Sequence, residues 1–267
     1  MNKIGLIAGN RRFPIVFAQG AKKKGKYIVA IAIKGETSRQ LKSHVDKLYW
    51  LSLVQFRQMF EVFKSEGVEK VAMAGQISPY RLFSKEVRQN RDLKELISSI
   101  QDNKANTIFS EIASRLKEFG LDLIDSTTFV EDLLPKKGTL TRRQPNQAES
   151  LDIRFGLELA KEVARLDIGQ TVAVKSKAIV AVEALEGTDN LIRRAGRIAR
   201  GGITVVKVSR PNQDMRFDIP VIGFNTVKTL VKANATCLAI EAGKTLFIDR
   251  EESVKLADKK GITIIAA

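Results

Sequence analysis

The sequence predicts an α/β protein with two domains, an N-terminal Rossmann-like parallel sheet and a C-terminal α/β domain. Short apolar runs alternate with segments of helical periodicity, which favours parallel strands joined by right-handed crossovers. One stretch rich in Pro, Gly, Lys and Arg interrupts that alternation and marks a domain boundary. We therefore expect a first domain at residues 1–131, a linker at 132–148 and a second domain at 149–267.

The first half contains strands that alternate with helices. Lys3 to Ala8 is a short apolar strand, and Phe13 to Lys24 follows as a helix that tolerates Pro14 in its first turn. Gly120 stands where a helix C-terminus favours glycine. The other predicted elements are strands at Tyr27 to Ile33, Val45 to Leu51, Val71 to Ala74 and Leu121 to Ile124, and helices at Phe56 to Ser65 and Ile108 to Phe119.

The second half has the same mixture of short β-runs and helices. The predicted helices are Leu151 to Leu166, Asn190 to Ala199 and Val227 to Ala233. The predicted strands are Thr171 to Val174, Ala178 to Val182, Ile203 to Val208, Cys237 to Ile240 and Leu246 to Ile248. The chain ends with a helix, a turn and a last strand at Ile262 to Ile265.

Composition narrows the function classes. With one cysteine and one histidine among 267 residues, the chain cannot form an internal disulfide or a His-rich zinc site. No apolar run is long enough for a membrane span or a signal peptide, so we expect a cytoplasmic protein. The formal charge is +15, and residues 1–50 hold 11 Lys and Arg against 2 Asp and Glu. That excess indicates an anionic partner or a lysine-rich solvated face.

Two nucleotide-binding motifs are incomplete. The strand and turn from Gly5 to Asn10 invite a dinucleotide interpretation, but Arg11 and Pro14 break the G-x-G-x-x-G pattern. A phosphate at the next helix N-terminus and a purely structural turn both stay open. Ala242 to Thr245 resembles the end of a P-loop, yet Leu238 stands where its first glycine belongs. That segment either contacts phosphate through its lysine or is a structural turn.

A cluster of arginines follows a glycine-bearing helix start. Gly187, Thr188 and Asp189 precede a helix that carries Arg193 and Arg194. A helix N-terminus attracts anions, and arginines donate charge-assisted hydrogen bonds to phosphate. The arrangement is typical of a pyrophosphate site, although a capped helix with a solvated basic side explains it too.

The densest polar cluster runs from Pro211 to Pro220. Asp214 and Asp218 are four residues apart, which predicts two carboxylates on one face. Carboxylate oxygens suit a hard divalent cation, and a carboxylate can orient or deprotonate water. The alternative is a loop held by an ion pair between an aspartate and Arg216.

Several motifs together resemble one family, the UDP-2,3-diacylglucosamine pyrophosphatases of the LpxI type. They extend through nearly the whole chain, and those of the second half are long and specific. One departure is Arg11, where family members often carry glycine. The matching stretches are GLIAG with Phe13-Pro14, MAGQISPYRLF at 73–83, DSTTFVEDLL at 125–134, LDIGQTVAVK at 166–175, AVEALEGTDNLIRRAG at 181–196, VVKVSRPNQDMRFDIPVIG at 205–223 and EAGKTLFIDR at 241–250.

The resemblance implies a hydrolase of lipid A biosynthesis with a catalytic C-terminal domain. Water would attack the α-phosphorus of an acylated UDP-sugar, giving UMP and 2,3-diacylglucosamine 1-phosphate (lipid X). Asp218 and Asp214 would be catalytic and would bind Mg²⁺ or Mn²⁺. The residues expected to bind substrate are Gly9, Gly75, Gln76, Gln170, Gly187, Thr188, Asp189, Arg193, Arg194, Lys207, Gln213, Arg216, Lys244 and Thr245. We also expect peripheral contact with the inner membrane through the N-terminal lysines, no nucleic-acid partner, and a homodimer as one form of assembly.

Two other hypotheses stay open. The positive charge favours a nucleotide- or nucleic-acid-binding protein without catalysis, but aromatic residues are only 6% of the chain and no RNA or DNA module is present. The third hypothesis is a sugar-nucleotide enzyme with different chemistry, such as a transferase. Release of UMP from the acylated UDP-sugar would separate all three.

Overall fold

The computed structural model describes residues 2–78 and 105–267, together with residues 81, 84 and 90. The chain divides into two compact units. The first contains Met1–Glu131 and Asp214–Asp218, and the second contains Asp132–Gln213 and Ile219–Ala267. One division therefore falls where the sequence predicts the end of the first domain. A short segment of the predicted second domain, however, belongs to the first unit.

The first unit is built on a five-stranded parallel sheet with strand order β3-β2-β1-β4-β5. Its described helices are α1 (Phe13–Lys23), α2 (Phe56–Ser65), α3 (Ala105–Glu118) and a 3-10 helix (Arg39–His44). Its strands are β1 (Lys3–Ala8), β2 (Tyr27–Ile33), β3 (Lys47–Leu51), β4 (Lys70–Ala74) and β5 (Asp122–Leu123). From β1 the chain adds strands outward on one side, and from β4 it adds them on the other. Open α/β sheets bind ligands at the carboxyl ends of the two strands where the order reverses in this way.

Phenylalanines of α2 build much of the core beside this sheet. Phe60 and Phe63 are fully buried with Val29, Ile31 and other apolar residues of the strands. A Cβ atom at Gly5 would lie 2.8 Å from the Phe63 ring, so β1 needs glycine there for the helix to pack. Burying each ring stabilises the unit by about 2–3 kcal/mol.

The second unit contains a six-stranded mixed sheet with strand order β6-β13-β11-β9-β7-β8. Its helices are α4 (Gln147–Arg165), α5 (Thr188–Ala199), α6 (Phe224–Lys232) and α7 (Arg250–Lys259). The sheet strands are β6 (Gly138–Thr139), β7 (Thr171–Lys175), β8 (Ala178–Val182), β9 (Thr204–Lys207), β11 (Cys237–Ile240) and β13 (Thr263–Ala266). A separate parallel pair joins β10 (Val221–Ile222) to β12 (Leu246–Phe247).

The segment predicted as a linker is part of the second unit. β6 pairs with β13 at the edge of the sheet. Arg143 donates two hydrogen bonds of 2.8 and 2.9 Å to Glu149 and a third to Thr263. Glu149 also completes a capping box with Asn146 at the start of α4. The turn-forming residues of this segment are therefore held firmly at the edge of the sheet, because their polar groups form hydrogen bonds with the rest of the second unit.

The predicted α/β fold class is confirmed, with a parallel sheet in the first unit and a mixed sheet in the second. The predicted helices and longer strands are present, with ends that shift by a few residues. The two-residue strands β6 and β10 were not predicted, because β6 lies in the stretch assigned as a linker and β10 begins directly after Pro220. Within the described ranges, none of the helices has the length and apolar character needed to cross a membrane.

Candidate active site

Gly9 and Gly75 bring two loops into contact at the carboxyl ends of β1 and β4. The Gly9 amide donates to the Ala74 carbonyl over 2.8 Å, and Asn10 donates to the Gln76 carbonyl over 2.7 Å. A Cβ at Gly9 would lie 2.6 Å from the Gln76 oxygen. Gly75 has a φ of +88°, and a Cβ there would lie 2.5 Å from the Asn10 oxygen. The structure therefore brings these predicted residues together, and the contact explains both glycines.

A buried carboxylate organises the polar residues at the same edge. Glu36, whose side chain is 1% exposed, accepts hydrogen bonds from Asn10 over 2.7 Å and from the Ser78 hydroxyl over 2.8 Å. Arg81 forms an ion pair of 3.2 Å with its other oxygen. Sequence reasoning missed this cluster. Its signal was Glu36 itself, one of two acidic residues among the first fifty.

The segment Asp214–Asp218 is anchored to the first unit. The Ser126 amide donates to the Met215 carbonyl over 3.0 Å. The Ser126 hydroxyl lies 2.7 Å from the Arg216 carbonyl and 2.6 Å from that of Met73 in β4. Phe217 packs against the core of the first sheet. These contacts place the segment at the carboxyl ends of β4 and β5.

Asp214 holds the segment in a turn. Its carboxylate accepts hydrogen bonds from Arg216 Nε over 2.9 Å and from Nη2 over 2.6 Å, and it also accepts from the Arg216 amide over 3.0 Å. The guanidinium is the main reason that the pKa of Asp214 is lowered. The Asp218 amide donates to the Asp214 carbonyl over 3.1 Å. The alternative interpretation of this loop, an ion pair between an aspartate and Arg216, is therefore the one that the structure shows for Asp214.

The carboxylates present suit a divalent cation that takes most of its oxygen ligands from bound phosphate and water. Within the part of the chain that the structure describes, no three His, Cys, Asp or Glu side chains gather as a metal site. The turn offers the carboxylates of Asp214 and Asp218, and the first is engaged by Arg216. Mg²⁺ commonly takes one or two carboxylates together with phosphate oxygens and water, so a turn with two aspartates fits such a cation.

Polar residues of the second unit meet at one edge of its sheet. The parallel strands β9 and β11 end there, while β7, which runs antiparallel to β9, begins there. The Lys207 ammonium is buried and donates to the Thr188 hydroxyl over 2.8 Å. Thr188 donates in turn to Glu183 over 2.8 Å. A lysine, a helix start and a carboxylate are therefore joined in one buried network, in which Glu183 was not predicted.

Gly187 starts α5 at this edge with an open approach. It is the N-cap residue, with φ +80° and ψ 161°, and no side-chain hydrogen bond caps the helix. A Cβ at Gly187 would meet no atom within 4 Å. Asp189 lies in the first helical turn, where a carboxylate is favoured by the helix dipole. The backbone of this helix start is therefore accessible to an anionic ligand.

The structure separates the two arginines predicted to act together. Arg194 donates to the Val182 carbonyl over 2.8 Å and to Glu186 over 2.6 Å. Arg193 instead donates to Asn190 over 2.6 Å and lines a different surface hollow. Neighbouring residues of a helix point about 100° apart, so one phosphate group cannot easily receive both side chains.

Glu241 forms a second polar cluster at the end of β11. Its carboxylate accepts from Lys161 over 2.6 Å, from the Ser209 amide over 2.8 Å and from Lys244 over 3.0 Å. Burial alone would raise its pKa, but these donors lower it to about 2. Thr245, fully buried, donates its amide to the Glu241 carbonyl over 3.2 Å. Lys244 and Thr245 are thus brought to the edge, with Lys244 held by a carboxylate.

The remaining predicted residues are Gln170, directly before β7, and Gln213, on the loop after β9. With its amide oriented to suit its neighbours, Gln170 donates to the Val208 carbonyl over 3.2 Å and accepts from Arg210 over 2.7 Å. The Gln213 side chain accepts from the Arg210 amide over 2.8 Å. Arg210 also pairs with Asp167 over 2.6 Å. These contacts stiffen the loop as it leaves the second unit for Asp214.

Sequence models of one family match both halves of the chain. The model of the LpxI N-terminal domain matches residues 3–133, and that of the LpxI C-terminal domain matches residues 136–265. The chain belongs to the LpxI family. It is 28% identical to the UDP-2,3-diacylglucosamine pyrophosphatase LpxI of Caulobacter vibrioides, over 99% of this chain and 97% of that protein.

Solved structures add little to the LpxI assignment. The biotin carboxylase subunit of a pyruvate carboxylase is 14% identical, with 74% of this chain and 41% of that chain covered, at a TM-score of 0.28. A Rhizobium etli pyruvate carboxylase reaches a TM-score of 0.29 at 13% identity, with 67% of this chain and 16% of that chain covered. The chain thus spans less than half the length of these proteins, and the scores are too low to relate the folds.

Apart from Asp132 and Leu133 at the boundary, the LpxI domain models and the structural units differ in one place. Asp214–Asp218 lies within the range matched by the C-terminal domain model but belongs to the first unit. The motif at residues 73–83 is described only in part, since Pro79, Tyr80, Leu82 and Phe83 lie outside the described residues. The LpxI family motifs therefore contribute residues to both units.

Proposed function

We propose that the protein hydrolyses the pyrophosphate bond of UDP-2,3-diacylglucosamine. The match to the Caulobacter pyrophosphatase over nearly the full length of both chains carries this proposal. Water forms a bond to the α-phosphorus, and the bond from that phosphorus to the bridging oxygen breaks. The products are UMP and 2,3-diacylglucosamine 1-phosphate, as lipid A synthesis would require.

Asp218 is proposed as the residue that orients the water and receives its proton. Its side chain is half-buried, and its backbone is held in the turn that begins at Asp214. Asp214 is a positioning residue in this proposal, because its carboxylate already holds Arg216. A fixed turn suits the chemistry, since proton transfer needs the base within hydrogen-bond reach of the water.

The edge of the second sheet is proposed to bind phosphate oxygens. Gly187 and the helix start offer backbone donors and a positive dipole end, and the Lys207 ammonium lies directly behind Thr188. Lys244 adds a partly exposed charge. Mg²⁺ or Mn²⁺, held by Asp218 and the substrate, would neutralise the phosphates and is proposed as the cofactor.

The test is direct incubation with the acylated UDP-sugar. We expect UMP to appear without any acceptor present, which a transferase would not produce. In oxygen-18 water the label should enter UMP, because attack is at the α-phosphorus; label in the lipid phosphate would contradict that step. Exhaustive chelation should stop the reaction, and added Mg²⁺ should restore it. A protein that binds UDP-sugar or RNA but releases no UMP would overturn the proposal.

A further inference from the structure

Four cations surround a hollow of about 610 Å³ on the second unit, which we call the basic hollow. They are Arg193, Arg197 and Arg200 of α5 and its end, and Lys232 at the end of α6. No acidic residue lines the hollow. The three arginines are spaced by four and three residues, so they lie along one face of the helix. The fold therefore concentrates positive charge here rather than dispersing it.

The basic hollow lies away from the candidate site on the same unit. α5 starts at the carboxyl edge of the sheet and spans about 18 Å, at 1.5 Å for each of its residues. Arg200 ends this helix, and the hollow is floored by the turn at Asn234, whose carbonyl accepts from the Gly202 amide over 2.8 Å. Its cations consequently need a role other than contact at the start of α5.

The cations of the basic hollow have no acidic partner. Within the described ranges, Arg197, Arg200 and Lys232 form no salt bridge, and Arg193 bonds only to the neutral Asn190. The two helix ends contribute about half a negative charge each, which leaves most of the four positive charges uncompensated. An anion of more than one charge, or several anions together, would offset the remainder.

The N-terminal lysines contrast with this arrangement. Lys22 forms an ion pair of 3.0 Å with Asp46. Lys24 donates to the Thr128 carbonyl over 3.0 Å and stacks over Phe129. The segment of highest charge in the sequence thus uses part of that charge inside its own unit. The expectation that these lysines provide the membrane contact is therefore weaker than the sequence indicates.

We propose that the basic hollow binds the phosphate groups of anionic phospholipids and holds the second unit at a membrane surface. Uncompensated Lys and Arg side chains attract the anionic head groups of a membrane surface. No aromatic side chain lines the hollow, which disfavours single-stranded nucleic acid. This inference rests on the proposed function, in which the substrate carries two acyl chains.

The test is sedimentation with phosphatidylcholine vesicles, with and without phosphatidylglycerol, in the absence of substrate. We expect binding only to the anionic vesicles, and binding that falls as salt is added. The variant Arg197→Gln, Arg200→Gln, Lys232→Gln should bind at least ~10-fold more weakly. The matched control, Lys22→Gln, Lys23→Gln, Lys24→Gln, removes the same charge from the first unit and should bind nearly as wild type.

Several outcomes would overturn the inference. They are equal loss in the two variants, equal binding to neutral vesicles, full displacement by inorganic phosphate at low concentration, and preference for an RNA oligonucleotide. UMP release in detergent solution should be unchanged in the variant of the basic hollow. Vesicle binding without UMP release would contradict the proposed function alone, whereas UMP release without vesicle binding would contradict this inference alone. Unchanged thermal unfolding of both variants shows that each has folded.

Discussion

At the scale of single residues, Asp214 and Asp218 have different environments although the sequence presents them as a pair. Asp214 accepts two hydrogen bonds from the Arg216 guanidinium, which keeps the carboxylate ionised and engaged in an ion pair. The Asp218 amide donates to the Asp214 carbonyl, so the turn also fixes the Asp218 backbone. We infer that the chemistry depends on Asp218, while Asp214 maintains the turn.

Replacing Asp218 by Asn should lower kcat by at least ~10²-fold, since a positioned base contributes that much. The protein should stay folded, because the side-chain amide has nearly the same shape. UMP release under saturating substrate is the measurement. Asp122→Asn is the control, an exposed carboxylate at the opposite end of β5, and should leave the rate unchanged. Near wild-type turnover of the Asp218 variant would return the segment to a structural role.

Glu241 should make the stability of the protein dependent on pH. Its folded pKa is about 2, below its usual value, so its contribution is present above about pH 4.5. The contribution is lost as the pH falls towards 2, and about 2–4 kcal/mol is at stake. Urea unfolding of Glu241→Gln should show a flatter fall over that range than wild type. The exposed Glu252→Gln should keep the wild-type slope, and equal slopes for all three proteins would contradict the assignment.

At the scale of elements, the start of α5 is attached to the sheet through one hydroxyl. Thr188 accepts from Lys207 and donates to Glu183, so both charged groups depend on it. The apolar face of α5 also packs against the core through Leu191 and Ile192. The helix start is therefore held rigidly at the edge where phosphate binding is proposed.

Thr188→Val should destabilise the protein by about 2–4 kcal/mol, because a buried ammonium and a buried carboxylate each lose a partner. Thr188→Ser keeps the hydroxyl and should cost about 1 kcal/mol for the lost methyl group. Urea unfolding compares the two variants. If valine proves as well tolerated as serine, the hydroxyl does not support the helix start.

At the scale of the whole molecule, the two units are not two consecutive stretches of chain. Asp214–Asp218 leaves the second half to join the first unit, where Ser126 and Phe217 secure it. The proposed catalytic aspartate is therefore supported by packing in a unit remote from it in sequence. Stability of the first unit should depend on this insertion.

Phe217→Ala should destabilise the first unit by about 1–3 kcal/mol, less than for a fully buried ring. Amide hydrogen exchange should rise in β4 and β5, while β9 and β11 keep their protection. Phe224→Ala provides the matched control, since this partly buried ring belongs to α6 and should affect only the second unit. Faster exchange confined to the second unit in the Phe217 variant would contradict the placement.

The secondary-structure elements, the α/β class and the family could all be predicted from the amino-acid sequence alone. Strands such as Tyr27–Ile33 and helices such as α2 follow from local apolar periodicity, and long motifs are recognisable without coordinates. The folded chain was needed to show that the Asp–Arg ion pair involves Asp214 and that Asp214–Asp218 joins the first unit. Side-chain partners and long-range docking depend on which surfaces meet after folding, and residue spacing along one segment carries no information about them.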